Sequence, residues 1–173
     1  MNARAEAAPV ALHRPLAAEE AARANFYALL ARMIHMPPDN ALLHSLAHSP
    51  AMAPDADAAL ARAWDGLVAA SSVMDGDAAA EEHEALFATI GKAAVSRYAG
   101  SYVGAAAVGH PRVRLRADLA ALGLAPRADA TEPEDQFGGL FEAMRVLVAG
   151  GAGRGPATID EQRRFFEDHV AVA

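Results

Sequence analysis

The chain of 173 residues contains no cysteine and a single lysine, Lys92, and only 6% of its residues are aromatic. The absence of cysteine excludes disulfide bonds, thiol catalysis and zinc–thiolate sites. No run of about 18 apolar residues is present, so no membrane span is predicted. The opening segment also lacks the long apolar core of a secretory signal. Together these absences predict a cytoplasmic protein.

The charge balance is acidic, with a formal net charge of −7. Because nucleic-acid binders carry basic surfaces, no nucleic-acid partner is expected. One basic cluster, RVRLR at 112–116, places Arg112 and Arg116 on one face of a helix and Arg114 on the opposite face. We interpret this cluster as a solvated connector.

Apolar residues recur at helical spacing in nearly every segment, and no segment alternates as a strand would. The sequence therefore predicts an all-α fold, a single helical-bundle domain of about seven or eight helices. The periodicity places a set of large side chains on inward helix faces: Leu30, Leu60, Trp64, Leu86, Phe87, Leu140, Met144, Leu147 and Val148. Helix caps are expected at Asp55, Asp77 and Thr158, the last in a capping box with Glu161.

Glycine and proline divide the chain into parts. A hinge is expected before the C-terminal helices. The predicted parts are a flexible N-terminus at 1–16, an N-terminal helical part at 17–110, a connector helix and hinge at 111–131, and C-terminal helices at 132–173.

The segment TEPEDQFGGLFEAM at 131–144 concentrates carboxylates around a proline. Thr131 and Glu134 have the spacing of a capping box, and Pro133 suits the first turn of a helix starting near 132. Glu132 and Asp135 exceed what that cap needs. They indicate either a solvated helix start or an acidic binding surface.

Motifs for catalysis and metal binding are missing. No phosphate loop, nucleophile elbow or Glu-x-x-His pair occurs, so neither catalytic residues nor a metal site are expected. Tyr98 and Tyr102 lie in a glycine-containing loop, where they either pin the loop to the bundle or contact a partner. Both readings stay open from the residues alone.

Four segments, in order, resemble one family over most of positions 20–170. EHEALFATIGKAAVSRYAGSYV at 82–103 resembles the pattern Glu-Tyr-x-x-Leu-Phe, a glycine, then Ser-Pro-Tyr-x-Ser-x-Tyr. EPEDQ at 132–136 resembles a Glu-Pro-x-Asp-His hinge motif. RANFYALLARMIHMPPDNALLHSLA resembles the first helices, and EQRRFFEDHV resembles a Gln-x-x-Phe-x-x-x-His-Leu segment. The family is that of the TorD/DmsD/NarJ-type chaperones, which assist the maturation of molybdoenzymes.

The resemblance implies an all-α chaperone without enzymatic activity or a cofactor of its own. Its expected partners are the apo catalytic subunit of a molybdenum oxidoreductase, such as a respiratory reductase or formate dehydrogenase, and the twin-arginine signal peptide of that subunit. Binding would assist cofactor insertion and control export. Weak guanine-nucleotide binding near the hinge, found in some relatives, is left open. The alternative is a small nucleotide- or metal-binding helical enzyme or regulator that uses the same acidic hinge.

The matching positions give two sets of residues. The client-binding set is Tyr98, Tyr102, Glu132, Pro133, Glu134, Asp135 and Gln136, and the motif or structural set is Glu82, Leu86, Phe87 and Ser96. Gln136 stands where the family often has His. The chain ends at HVAVA, where relatives continue into another helix, so a short or truncated C-terminus is expected. An unclosed bundle could exchange helices in a domain-swapped homodimer.

Overall fold

The computed structural model describes residues 16–87, 93–103, 110–125, 132–151 and 153–171. Within these ranges the chain forms seven α-helices and no strand, which confirms the predicted all-α fold. The helices are α1 Ala18–His35, α2 Asn40–Ala47, α3 Ala58–Val73, α4 Gly76–Phe87, α5 Pro111–Ala121, α6 Phe137–Ala149 and α7 Ile159–Phe165. A 3-10 turn, Ala99–Ser101, precedes α5, and a π-helical turn, Phe166–Val170, continues α7. No helix of the described ranges is long and apolar enough to cross a bilayer.

Polar side chains fix where the helices begin. The predicted capping box of α7 is confirmed: the Thr158 hydroxyl accepts the Glu161 N–H, and Glu161 accepts the Thr158 N–H. The predicted caps at Asp55 and Asp77 are wrong by two residues each. Asp57 caps α3 and Asp75 caps α4, because these side chains reach the free N–H groups of the first turn.

The core is centred on α6. α1 makes the most extensive helix contact with α6, and α7 with its π-helical turn packs on α6 as well. Four residues of α6 are almost fully buried, as the periodicity predicts: Leu140, Met144, Leu147 and Val148. Burying each such side chain stabilises the fold by about 1.5–3 kcal/mol, so this helix contributes much of the stability.

Some predicted core residues lie at the surface. Leu30 is 38% exposed, Leu60 44% and Leu86 37%, so their assignment to the core is wrong. The period of a helix identifies the residues that share a face, but it does not say how much of that face a neighbour covers. Trp64 and Phe87 are half-buried.

Trp64 on α3 contacts both α1 and the segment that follows α2. Its ring lies 5.4 Å from that of Phe26 on α1, and its indole Nε1 donates a hydrogen bond to the Pro50 carbonyl oxygen at 2.9 Å. α3, which carries Trp64, packs mainly on α2. The predicted division of the chain into parts stays a prediction, since residues 104–109 and 126–131, next to two of the predicted boundaries, lie outside the described residues.

Candidate functional site

The acidic segment before α6 is an open turn and not the first turn of the helix. α6 begins at Phe137, with Gln136 as an N-cap that makes no side-chain capping bond. The prediction of a helix start near 132 is therefore wrong, and Pro133 belongs to the preceding turn. Thr131, the other half of the predicted capping box, lies outside the described residues. We call residues 132–136 the hinge turn.

The loop of residues 93–103, which carries Tyr98 and Tyr102, is called the tyrosine loop. Its backbone pairing with the hinge turn explains why α6 starts late. The Ala99 N–H donates to the Asp135 carbonyl at 2.9 Å, and the Phe137 N–H donates to the Arg97 carbonyl at 2.8 Å. These bonds form an isolated antiparallel bridge between Tyr98 and Gln136. Gln136 has extended backbone in this bridge, so α6 begins only at the next residue.

Asp135 is the buried acid of the hinge turn, with a side chain 5% exposed. One carboxylate oxygen, Oδ2, accepts the Gly100 N–H at 3.3 Å, and the other, Oδ1, lies 2.9 Å from Nε of Arg112. The Arg112 contact is an ion pair without hydrogen-bond alignment, since Oδ1 has no hydrogen-bond partner within the described residues. A Cβ atom at position 100 would lie 2.8 Å from Oδ2, so glycine allows this approach.

The other two acids of the hinge turn each have a partner. Glu132 accepts a hydrogen bond from the Tyr98 hydroxyl at 2.7 Å, and this bond is the first cause that raises the pKa of Tyr98. Glu134 Oε1 accepts from Nε of Arg116 at 2.9 Å and from Nη2 at 2.6 Å. The pKa of Glu134 is lowered, first by its own backbone N–H and then by Arg116. The lowered pKa means that Glu134 favours the ionised form.

Tyr102 and Ser96 organise the loop, and within the described residues neither side chain forms a hydrogen bond with an acid of the hinge turn. The Tyr102 hydroxyl donates to the Ser96 carbonyl at 3.0 Å, and its ring lies 5.9 Å from that of Phe137. The Ser96 and Ser101 hydroxyl oxygens are 2.7 Å apart. Tyr98 thus joins the loop to an acid, whereas Tyr102 pins the loop onto the start of α6.

The motif residues of α4 lie apart from the hinge turn. Within the described ranges no hydrogen bond or ion pair joins Glu82 or Phe87 to residues 132–136. Phe87 packs its ring 4.9 Å from that of His83, and the Leu86 carbonyl accepts the Val95 N–H at 3.0 Å. The Leu86 carbonyl therefore links α4 to the loop, and the structural role of Glu82, Phe87 and Ser96 stays a prediction.

An apolar cleft of about 340 Å³ lies beside the hinge turn. Its walls include apolar side chains of the α5 and α6 region: Leu119, Leu124, Leu140, Ala143 and Val146. Glu132, Glu134 and Glu142 also line it. The cleft therefore combines apolar surface with carboxylates, which is the lining expected of a site for an apolar and basic ligand.

Gln136 and His35 complete this cleft. Gln136 is 2% exposed, and its Oε1 has no hydrogen-bond partner within the described residues. His35 approaches the start of α6 so closely that a Cβ atom at Gly138 would lie 2.6 Å from its Nε2. Gln136 thus places a buried acceptor beside the cleft that has no partner within the described residues.

A second, more polar pocket of about 440 Å³ lies against the same turn. It is lined by Tyr98 and Gly100 of the loop, by the start of α5, and by the ion pair of Asp135 with Arg112. The hinge turn thus contributes acids to two neighbouring concave surfaces. All seven residues of the predicted client-binding set lie on this turn or on the loop paired with it.

Sequence reasoning missed the arginines of this site. Arg112 and Arg116 were interpreted as solvated, but they contact two acids of the hinge turn. Arg114, on the opposite face of α5 as predicted, instead lies 3.6 Å from Asp168 of the π-helical turn. The sequence shows that Arg112 and Arg116 share one face of α5, but it carries no signal for which acids that face meets.

A family model described as "Nitrate reductase delta subunit" matches residues 53–172. The match spans more than half of the chain, and the chain belongs to this family. The family consists of chaperones for molybdoenzyme maturation and is not catalytic, which confirms the family and the absence of enzymatic activity expected from the motifs. No curated protein and no solved structure matches the chain.

Proposed function

We propose that the protein binds an apo molybdoenzyme catalytic subunit in the cytoplasm, through the hinge turn and the apolar cleft beside it. The observation that carries the proposal is the cleft itself, where apolar walls and three carboxylates lie beside the Gln136 amide oxygen, which has no partner in the part of the chain that the structure describes. Family membership supports the class of client, a molybdoenzyme subunit. Retention of this subunit would allow cofactor insertion before export.

The segment that enters the cleft is proposed to be the twin-arginine signal peptide of the client. Such a segment presents guanidinium groups next to apolar side chains. Guanidinium groups form bidentate, orientation-specific contacts with carboxylates, and the apolar residues would bury surface against α5 and α6. The Gln136 oxygen would accept a backbone or side-chain N–H from the peptide.

Co-purification tests the client, and a charge variant tests the site. A tagged chain should retain the apo catalytic subunit of a molybdoenzyme, and Glu132→Gln should weaken that retention severalfold. Glu167→Gln changes the charge equally at an exposed position outside the cleft and should have little effect. Recovery of no molybdoenzyme subunit by the parent protein would contradict the proposal. Equal losses of retention in the two variants would show that the hinge turn is not the binding site.

Exchange of helices between two protomers stays a prediction. α7 and its π-helical turn pack on α6 of the same chain, so this C-terminal segment is the element that an exchange would move. Light scattering on the purified protein would measure the mass, with twice the mass of one chain expected for a swapped dimer.

A further inference from the structure

The acids of the hinge turn are held by arginines of the same chain. Arg112 and Arg116 lie one helical turn apart on α5, and they meet Asp135 and Glu134, which are adjacent in sequence. The contact distances are 2.9 Å for Arg112 with Asp135 and 2.6 Å for Arg116 with Glu134. A pair of guanidinium groups therefore already occupies the pair of carboxylates that a basic ligand would seek.

The two sides of these ion pairs differ in burial. The arginine side chains are 57% and 67% exposed, whereas Asp135 is 5% and Glu134 20% exposed. The carboxylates are the sheltered partners, and the guanidinium groups reach them from the solvent. An incoming guanidinium that replaces the resident one leaves the buried carboxylate paired, so the exchange avoids the cost of a buried charge without a partner.

The position of α5 does not depend on the two arginines alone. Leu115 is buried at 3% exposure and packs in the core cluster. On the other side of α5, Arg114 faces Asp168, and Asp118 lies 2.8 Å from Nε2 of His169. The helix is therefore held by packing and by contacts with the π-helical turn, and the two arginines can leave their acids while α5 stays in place.

We propose that Arg112 and Arg116 are internal competitors, which occupy Asp135 and Glu134 in the free protein and are displaced when client arginines bind. This inference rests on the proposed function, since it concerns the same acids. This competition would make the affinity of the protein for its client lower than unpaired carboxylates would give. The resident arginines would also return as the client leaves, which favours release.

Titration with a synthetic peptide tests the competition. The probe carries two adjacent arginines followed by leucines, and it is titrated against the parent, Arg112→Gln/Arg116→Gln and the control Arg114→Gln/Arg163→Gln. The control removes two positive charges from arginines that pair with Asp168 and Asp160, away from the hinge turn. The hinge variant should bind about tenfold more tightly than the parent, and the control should gain much less. An equal gain in the control, or no gain in the hinge variant, would overturn the inference.

Arg112→Gln leaves the buried Asp135 without its cation, so the double variant is the one at risk of misfolding. The single variant Arg116→Gln is therefore titrated as well. Arg116→Gln affects only the more exposed Glu134, and it should fold normally and bind the peptide about threefold more tightly. Failure of every variant to bind the peptide would also overturn the inference, since vacated acids would then not accept guanidinium groups. In that case co-purification of the catalytic subunit would still decide the proposed function separately.

Discussion

Tyr98 donates its phenolic hydrogen to Glu132 across 2.7 Å, and this bond joins the loop after α4 to the turn before α6. The bond, with desolvation as the second cause, raises the pKa of Tyr98 above its usual value of 10.0. A raised pKa in the folded state means that folding favours the neutral phenol. The stabilisation is therefore complete below about pH 10 and is lost as the pH rises through the higher pKa of folded Tyr98.

Tyr98→Phe should lower the free energy of unfolding by about 1 kcal/mol at neutral pH, because one hydrogen bond is lost. In an absorbance titration of the tyrosines, the variant should also lack one group that titrates late. Tyr102→Phe is the matched control, since Tyr102 lies in the same loop and its hydroxyl donates to the Ser96 carbonyl. If the Tyr98→Phe titration keeps the same late-titrating groups as the parent, the bond to Glu132 is not formed in solution.

Leu147→Ala should cost about 2–5 kcal/mol, because Leu147 is fully buried in α6 and its truncation leaves a cavity. Leu86→Ala should cost less than about 1 kcal/mol, because Leu86 is substantially exposed at the end of α4. Urea denaturation of the two variants measures both values. Similar losses of stability in the two variants would show that Leu86 is buried, as the sequence pattern predicted.

Asp135→Asn should destabilise the protein by about 1–3 kcal/mol, because its carboxylate accepts the Gly100 N–H and faces Arg112 in a buried position. The sequence alone identifies Asp135 only as an acid in excess of what a helix cap needs. Glu134→Gln is the comparison, and it should cost less because its partner Arg116 is largely exposed. Thermal melts of both variants at one pH compare the two losses of stability. A larger loss for Glu134→Gln would show that Glu134, and not Asp135, is the acid that stabilises the hinge turn.

The helices could be predicted from the sequence because their signals are local. The stripe of α6 and the capping box of α7 each depend on residues within one or two turns, so spacing alone identifies them. The family could be recognised for a similar reason, since its motifs are short segments in a fixed order. The same patterns could not place Leu86, whose burial depends on which helix lies opposite.

The geometry of the site depends on contacts between distant segments. The bridge between Tyr98 and Gln136 delays the start of α6 to Phe137, although the residues before it carry a strong helix-start signal. Tertiary pairing here overrides a local preference worth about 1 kcal/mol. The choice of Arg112 and Arg116 as partners of the hinge acids also follows from how α5 packs, which no local rule determines.

Gln136 and Gln162 form a natural pair for the last prediction. Both are buried, at 2% and 5% exposure. The Gln162 amide is bonded at both ends, since Nε2 donates to the Ala157 carbonyl at 3.0 Å and Oε1 accepts from Arg23 at 2.6 Å. The Gln136 Oε1 has no partner within the described part of the chain.

Gln136→Met should therefore raise the melting temperature, because it replaces an unpaired buried acceptor, a group that costs about 1–3 kcal/mol, by an apolar side chain of similar size. Gln162→Met should lower the melting temperature, because it breaks two bonds and leaves Arg23 without that acceptor. If Gln136 serves the client, the more stable variant should bind the arginine–leucine peptide less tightly than the parent. Opposite changes in stability and affinity in one variant are difficult to explain by misfolding. A variant that is more stable and binds equally well would exclude the Gln136 side chain from client recognition.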